Sequence, residues 1–327
     1  MITPSLSRRD FLHKTTLATA AAAAMPAVSS AAHPGIKNGP TPKFGFNLLV
    51  WSATASEALF PHVDRLKKIG YDGVEIAMGQ QDPAVYRHFG QHVKDNELEI
   101  NCVTVLSPEA NPVSPDAAIR AKSLAMLQWN IDRCVDVGAK ILCGPFHSAF
   151  ATFTRAAPQP EEYQRSAEVL HAAGDYAQEA GILLVPEALN RFECYLCNTV
   201  AQLSHLVELT DHPHVQAMYD THHGNIEEKT HAGAIAHIAP HLRHVHLSEN
   251  DRGTPGDGHV DFDEAFQAFA AINYDGWFTI EAFSRADPDF ANAINVWRKF
   301  SPDWEIAEKG YVNLSKAMRK AGFQRPA

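Results

Sequence analysis

The sequence predicts a single-domain α/β protein, a (β/α)8 TIM barrel. Two observations carry this reading. Eight short apolar runs alternate with segments of helical periodicity, and four consecutive runs close on a carboxylate or an imidazole. A third observation weakens the alternative, an open doubly wound sheet: no Gly-x-Gly-x-x-Gly phosphate loop follows the first run.

The expected strands are Phe44–Trp51, Gly73–Ala77, Glu99–Val105, Lys140–Cys143, Ile182–Glu187, Val215–Asp220, Leu242–His246 and Trp277–Glu281. Helices fill the gaps. From Ala118 to Val137, the residues Leu124, Leu127, Ile131 and Val135 recur at helical spacing. From Glu161 to Ala180 a second helix is stopped by Gly181. No internal repeat is evident.

The chain has 327 residues, 45% of them hydrophobic, ample for one large core. Residues 1–32 read as a removable export signal, residues 33–43 as a Pro/Gly-rich linker, and residues 44–327 as the barrel. The signal has Arg8-Arg9 followed by Phe11-Leu12, then an alanine-rich run, and resembles a Tat signal. That run is too short and too alanine-rich to span a membrane, so the expected product is periplasmic with no membrane insertion. The formal charge is −10. Removing Arg8, Arg9 and Lys14 together with Asp10 leaves about −12. An acidic surface argues against a nucleic-acid partner and against a polybasic membrane contact. Five cysteines give no disulfide framework. Cys194 and Cys197 have C-x-x-C spacing without a second pair, and read as small, partly buried residues at a helix start.

Chemistry in a parallel barrel sits at the C-terminal ends of the strands. Glu187, Asp220, His246 and Glu281 end the fifth to eighth runs. Three carboxylates and one imidazole suit one hard or borderline divalent cation, such as Mn²⁺ or Mg²⁺. Glu193 lies six residues after Glu187. It either shares the cleft, is a solvated loop charge, or pairs with Arg191. His222 and His223 directly follow Asp220, and only one can share its direction. Alternation puts His244 on the same face as His246, where it reads as a supporting residue. Arg252 lies in the Gly/Pro-rich loop that follows and could clamp a polar substrate atom. Glu75 reads as a group near the mouth or an ion-pair partner. His147 and its neighbours could line the pocket, and Trp51 and Phe150 are wall or core aromatics.

These segments resemble the ketose 3-epimerases (the D-tagatose and D-psicose 3-epimerases) among the xylose-isomerase-like barrels. The resemblance runs from about Phe44 onward. It is most specific in Asn190-Arg191-Phe192-Glu193, in Asp220 to Glu228, and from His246 to Gly258. It implies that Glu187, Asp220, His246 and Glu281 hold one Mn²⁺, Co²⁺ or Mg²⁺ ion. It also implies that Glu193, His223 and Arg252 bind substrate hydroxyls near C1 to C3. The reaction implied is inversion at C3 of a free ketose through an enediolate, with Glu187 and Glu281 as acid and base on opposite faces. Related barrels are often dimers or tetramers, so a homo-oligomer is expected. Two positions depart from the pattern. Asn47 stands where an aromatic residue is usual, and Phe150 where Trp is often found. The catalytic half therefore matches better than the half that would shape the pocket around the far end of the sugar.

The nearest rival is an aldose–ketose isomerase resembling hydroxypyruvate isomerase, followed by a lyase or dehydratase acting on a keto-sugar or keto-glycoside. Outside sugar chemistry, a multi-zinc endonuclease would need a basic groove that this acidic chain does not suggest. A non-catalytic sugar-binding protein would not need two carboxylates flanking a ligand.

Overall fold

The computed structural model describes residues 41–324, so the twin-arginine segment and most of the linker lie outside the described residues. The strands are β1 (Lys43–Asn47), β2 (Gly73–Ala77), β3 (Glu99–Val103), β4 (Ile141–Gly144), β5 (Leu183–Pro186), β6 (Ala217–Asp220), β7 (Leu242–Leu247) and β8 (Trp277–Ile280). All pair in parallel, in the order β5-β4-β3-β2-β1-β8-β7-β6. The two ends of that order meet through the Leu184–Val215 bridge. There the Leu184 N–H donates to the His214 carbonyl, and the Gln216 N–H donates to the Leu184 carbonyl, each at 2.9 Å. The result is a nearly closed barrel.

The surrounding helices are α1 (Phe60–Ile69), α2 (Pro83–Asp95), α3 (Ala117–Val137), α4 (Pro160–Ala180), α5 (Val200–Thr210), α6 (Thr221–Glu227), α7 (His231–Ile238), α8 (Phe262–Ala271), α9 (Pro288–Ala293) and α10 (Asp303–Lys320). Among the described residues, no helix is long and apolar enough to cross a membrane.

The period-two alternation of each strand sorts its side chains between two cores. Phe44, Phe46, Val74, Ile76, Leu142, Leu184, Val245, Phe278 and Ile280 join the large cluster under the helices. Residues of opposite parity, Val103, Ile141, Cys143, Val185, Met218 and Trp277, form a smaller cluster. Trp277 needs room, and glycine provides it. A Cβ on Gly73 would lie 2.6 Å from the Trp277 ring, and one on Gly45 would lie 2.8 Å from Thr279 Oγ1.

Several boundaries differ from expectation. β1 stops at Asn47, whose side chain accepts the Leu49 N–H and caps a short 3-10 turn over Leu48–Val50. It starts at Lys43, the last residue assigned to the linker. β3 stops at Val103, two residues early, and Val105 is exposed. Val135 of α3 is 52% exposed, because the buried face of that helix is carried by Leu127, Ile131, Cys134 and Val137 instead. Trp51 packs in an aromatic cluster with Phe46, His62 and Trp304.

Candidate active site

The four strand-end residues converge although their strand positions differ. Asp220 is the last residue of β6, His246 the penultimate residue of β7, and Glu187 and Glu281 stand one residue past β5 and β8. All four are buried. One donor atom from each lies within 4.8 Å of the others.

Each side chain is fixed from below or behind. His246 Nε2 lies 2.8 Å from Glu75 Oε1. The carboxylate can only accept, so Nε2 carries a proton and Nδ1 is the nitrogen left to face a cation. That Nδ1 has no hydrogen-bond partner and sits 3.4 Å from Glu281 Oε1 and 3.9 Å from Asp220 Oδ2. Glu75 thus orients the ring, the support usually given to a metal-binding histidine. His244 Nε2 lies 2.9 Å from Glu75 Oε2, and the Asn47 amide donates to Glu75 Oε1 at 2.8 Å. Burial opposes charge on Glu75, but His246 and His244 outweigh it and hold its carboxyl below the usual range.

Asp220 caps α6. Its Oδ1 accepts the His222 N–H at 2.6 Å, while Oδ2 accepts from Ser248 Oγ at 3.0 Å and from Arg252 Nη1 at 2.8 Å. Burial would raise its carboxyl, and the Arg252 guanidinium and nearby histidines hold it far down instead. Glu281 accepts from Asn47 Nδ2 at 3.3 Å and from Arg252 Nη1 at 2.8 Å. Glu187 differs. Its Oε1 is buried with no hydrogen bond, and its nearest cationic candidate, His223 Nε2, is 3.6 Å away. Burial, together with Glu281 and Asp220, pushes its carboxyl well above the ordinary value even though His246 pulls the other way.

An orphaned imidazole nitrogen and an orphaned carboxylate oxygen, facing two further carboxylates, fit one divalent cation. Glu75, Cys143, His244 and His246 form a second close group that shares His246. It fits a metal less well. Glu75 is occupied by His246, His244 and Asn47, and burial pushes the Cys143 thiol up, away from the thiolate that binds metal.

The three expected substrate contacts stand beside this set. Arg252, buried and at φ +61°, spans the site. Besides bonding Asp220 and Glu281, its Nη2 lies 2.9 Å from His223 Nε2, and its guanidinium stacks 4.8 Å from the Phe283 ring. His223 Nδ1 accepts the Asn190 backbone N–H at 3.1 Å. Glu193 Oε1 accepts from the Asn190 amide at 2.8 Å. Glu193 is not the partner of Arg191, which pairs with Glu227 at 2.6 Å. Ligand atoms of Glu193, His222 and His223 also lie within 4.8 Å of one another. Burial and Arg252 lower the His222 pKa to about 4.

Sequence reasoning placed Asn47 with the pocket's specificity half. The structure places it in the network between Glu75 and Glu281, because β1 contributes an inward position at that level. Cys143, whose thiol donates to Glu75 at 3.3 Å, was not foreseen; inward parity on β4 was its only signal. His147 is fully buried, and its Nε2 lies 2.8 Å from the Glu187 carbonyl, so it fixes the chain beneath the site rather than lining it. Cys194 and Cys197 are fully buried free thiols in the loop before α5, not partly buried residues at its start. Burial raises the Cys194 thiol, but His147 and Ser148 outweigh it and bring it down to about 7.

The family described as "Xylose isomerase-like TIM barrel" matches residues 63–300. A probable ketose 3-epimerase of Synechocystis sp. is 30% identical over 280 residues, covering 84% of this chain and 96% of that protein. An L-ribulose 3-epimerase of Methylomonas sp. is 31% identical over 267 residues, covering 80% and 92% respectively. The crystal structure of a D-allulose 3-epimerase from Methylomonas sp. in complex with D-allulose is similar with a TM-score of 0.78 at 28% identity, covering 86% of this chain and 98% of that one.

Proposed function

The chain belongs to the xylose isomerase-like TIM barrel family, and we propose that within it the protein is a metal-dependent sugar epimerase that inverts C3 of a free ketose. The observation that carries this reading is the buried set Glu187, Asp220, His246 and Glu281, with donor atoms left unpartnered on Glu187 and His246. The ketose 3-epimerases similar to the chain over most of its length support it.

In this reading the four side chains hold one divalent ion, Mn²⁺ by preference, with Co²⁺ and Mg²⁺ as alternatives. When bound, the ion supplies positive charge that stabilises the enediolate formed as C3 loses its proton. The chain does the rest. Glu187 and Glu281 come from non-adjacent strands and approach C3 from its two faces. One takes the C3 proton and the other returns a proton to the opposite face, so each sugar epimer has its own base. A guanidinium has five N–H donors. Arg252 uses one each toward Asp220 and Glu281, which leaves three for a substrate oxygen such as O3. Glu193 and His223 hold O1 and O2.

The test is a panel of fructose, psicose, tagatose, sorbose and ribulose incubated with the mature protein and Mn²⁺, with products identified by NMR. A new C3 epimer that disappears in Glu187→Gln supports the reading. No epimer from any free ketose despite bound metal would sink it and move the search to keto-glycosides and hydroxypyruvate. We further propose Tat-dependent export to the periplasm and assembly as a dimer or tetramer, to be checked by cell fractionation and by light scattering.

A further inference from the structure

Beside the catalytic mouth lies a cavity of about 540 Å³ whose walls are basic in an otherwise acidic chain. Arg285, Arg298 and Lys299 line it, with the rings of Phe283 and Phe300 and one acid, Asp303. Among the described residues, none of the three cations pairs with a carboxylate. Arg285 is held by the Val296 carbonyl and by Asn292 Oδ1, and Arg298 stacks over Phe300 at 5.4 Å. Three cations with no ion-pair partner, facing one acid around a single concave space, make a local attraction for anions on a chain of net charge −10.

The cavity is joined to the catalytic residues at three points. Phe283, two residues after Glu281, lies at most about 7 Å from it along the chain. Its ring touches both the cavity and the Arg252 guanidinium. Its N–H donates to the Arg252 carbonyl at 2.9 Å, and the Thr254 N–H donates to Ser301 Oγ, on the cavity wall, at 3.1 Å. The cavity therefore adjoins Glu281 and Arg252 through Phe283.

We propose that this cavity holds an anionic group, a phosphate or a carboxylate, at the far end of the sugar, so that the preferred substrate is an acidic ketose rather than a neutral one. This rests on the epimerase reading above for the position of the sugar. Guanidinium and ammonium groups bind both oxyanions, Arg bidentately and Lys as a point charge.

The experiment is equilibrium binding of D-fructose, D-fructose 6-phosphate, D-fructuronate and inorganic phosphate to the Mn²⁺-loaded mature protein and to its Arg298→Gln/Lys299→Gln variant, both substitutions being at exposed positions. We expect at least one acidic ketose to bind about tenfold or more tighter than fructose at low salt, with the advantage shrinking at high salt. In the variant that ratio falls toward one. The tighter of the two acidic ketoses identifies the anion. Equal binding of neutral and acidic ketoses, or a preference unchanged in the variant, would overturn the proposal. So would inorganic phosphate binding as tightly as the phosphoketose, since the cavity would then hold a free anion. C3 inversion of fructose without acidic preference would remove this proposal and leave the epimerase. Acidic preference without C3 chemistry on any of the sugars would do the reverse.

Discussion

The same barrel strands build two opposite interiors a few residues apart. Trp277, Ile141, Val185 and Met218 pack as an apolar plug. Two residues further along two of those strands stand Glu187 and Asp220, and four residues beyond Trp277 stands Glu281. The plug gains stability from every side chain it buries, of the order of 1.5–3 kcal/mol each. The charged half buries carboxylates whose mutual repulsion the fold must carry, and in metal-free protein the Arg252 guanidinium between Asp220 and Glu281 offsets part of it. One half is therefore built for stability. The other is held ready for a cation and a substrate at a cost to stability.

That contrast can be broken in several ways, and the largest effect belongs to the charged half. Glu187→Gln or Glu281→Gln should lower turnover by about 10²–10⁴-fold, because inversion needs both proton transfers. Metal-free Glu187→Gln should melt no lower than wild type, since it removes a carboxyl that lacks a hydrogen bond on Oε1. A melting loss comparable to a core truncation would erase the distinction. In the apolar half, Trp277→Ala should cost about 3–5 kcal/mol in denaturant unfolding, leaving a void beside Gly45 and Gly73. A loss under 1 kcal/mol would mean that the plug is not what stabilises the barrel.

Smaller effects sharpen the boundary between the halves. Glu75→Gln weakens the acceptor that fixes the His246 tautomer, and metal affinity should fall about 10–100-fold by competition with a chelating dye. An unchanged affinity would show that the ring is oriented by packing alone. The smallest effect concerns protons. The Glu187 carboxyl is raised by burial and by its neighbouring carboxylates, so some of it is protonated in metal-free protein at mildly acid pH. A ligand must lose that proton, so metal affinity should rise with pH until Glu187 is fully ionised. Titration calorimetry in two buffers of different ionisation heat should find net proton release, and none would mean that Glu187 is already ionised or does not ligate.

The eight strands were legible because each is a local apolar run, and the strand-end quartet because four of those runs close on a carboxylate or an imidazole. The helix end marked by Gly181 was equally local, that glycine taking the left-handed conformation. What escaped depends on barrel closure. Glu75 and His244 each read as polar groups near the site, but Asn47, Glu75 and Cys143 come from three strands far apart in sequence, and only register brings them around His246. Arg252 showed a candidate clamp in sequence, but its simultaneous contact with Asp220, Glu281 and His223 depends on the fold of residues 248–258. In that loop Glu249 accepts the N–H groups of Asn250, Gly256 and Val260. The basic cavity was invisible for a similar reason: Arg285 and Lys299 are separated by α9 and carry no periodic pattern.

The most direct test of the central claim is the position of solvent hydrogen in the product. The Mn²⁺-loaded protein is incubated with its best ketose in D₂O, and the sugars are read by NMR at early conversion. Proton loss and return at opposite faces predicts a C3 epimer carrying deuterium at C3 and none at C1. An epimer that keeps its original C3 hydrogen, or a product with deuterium at C1 and a shifted carbonyl, would contradict the account.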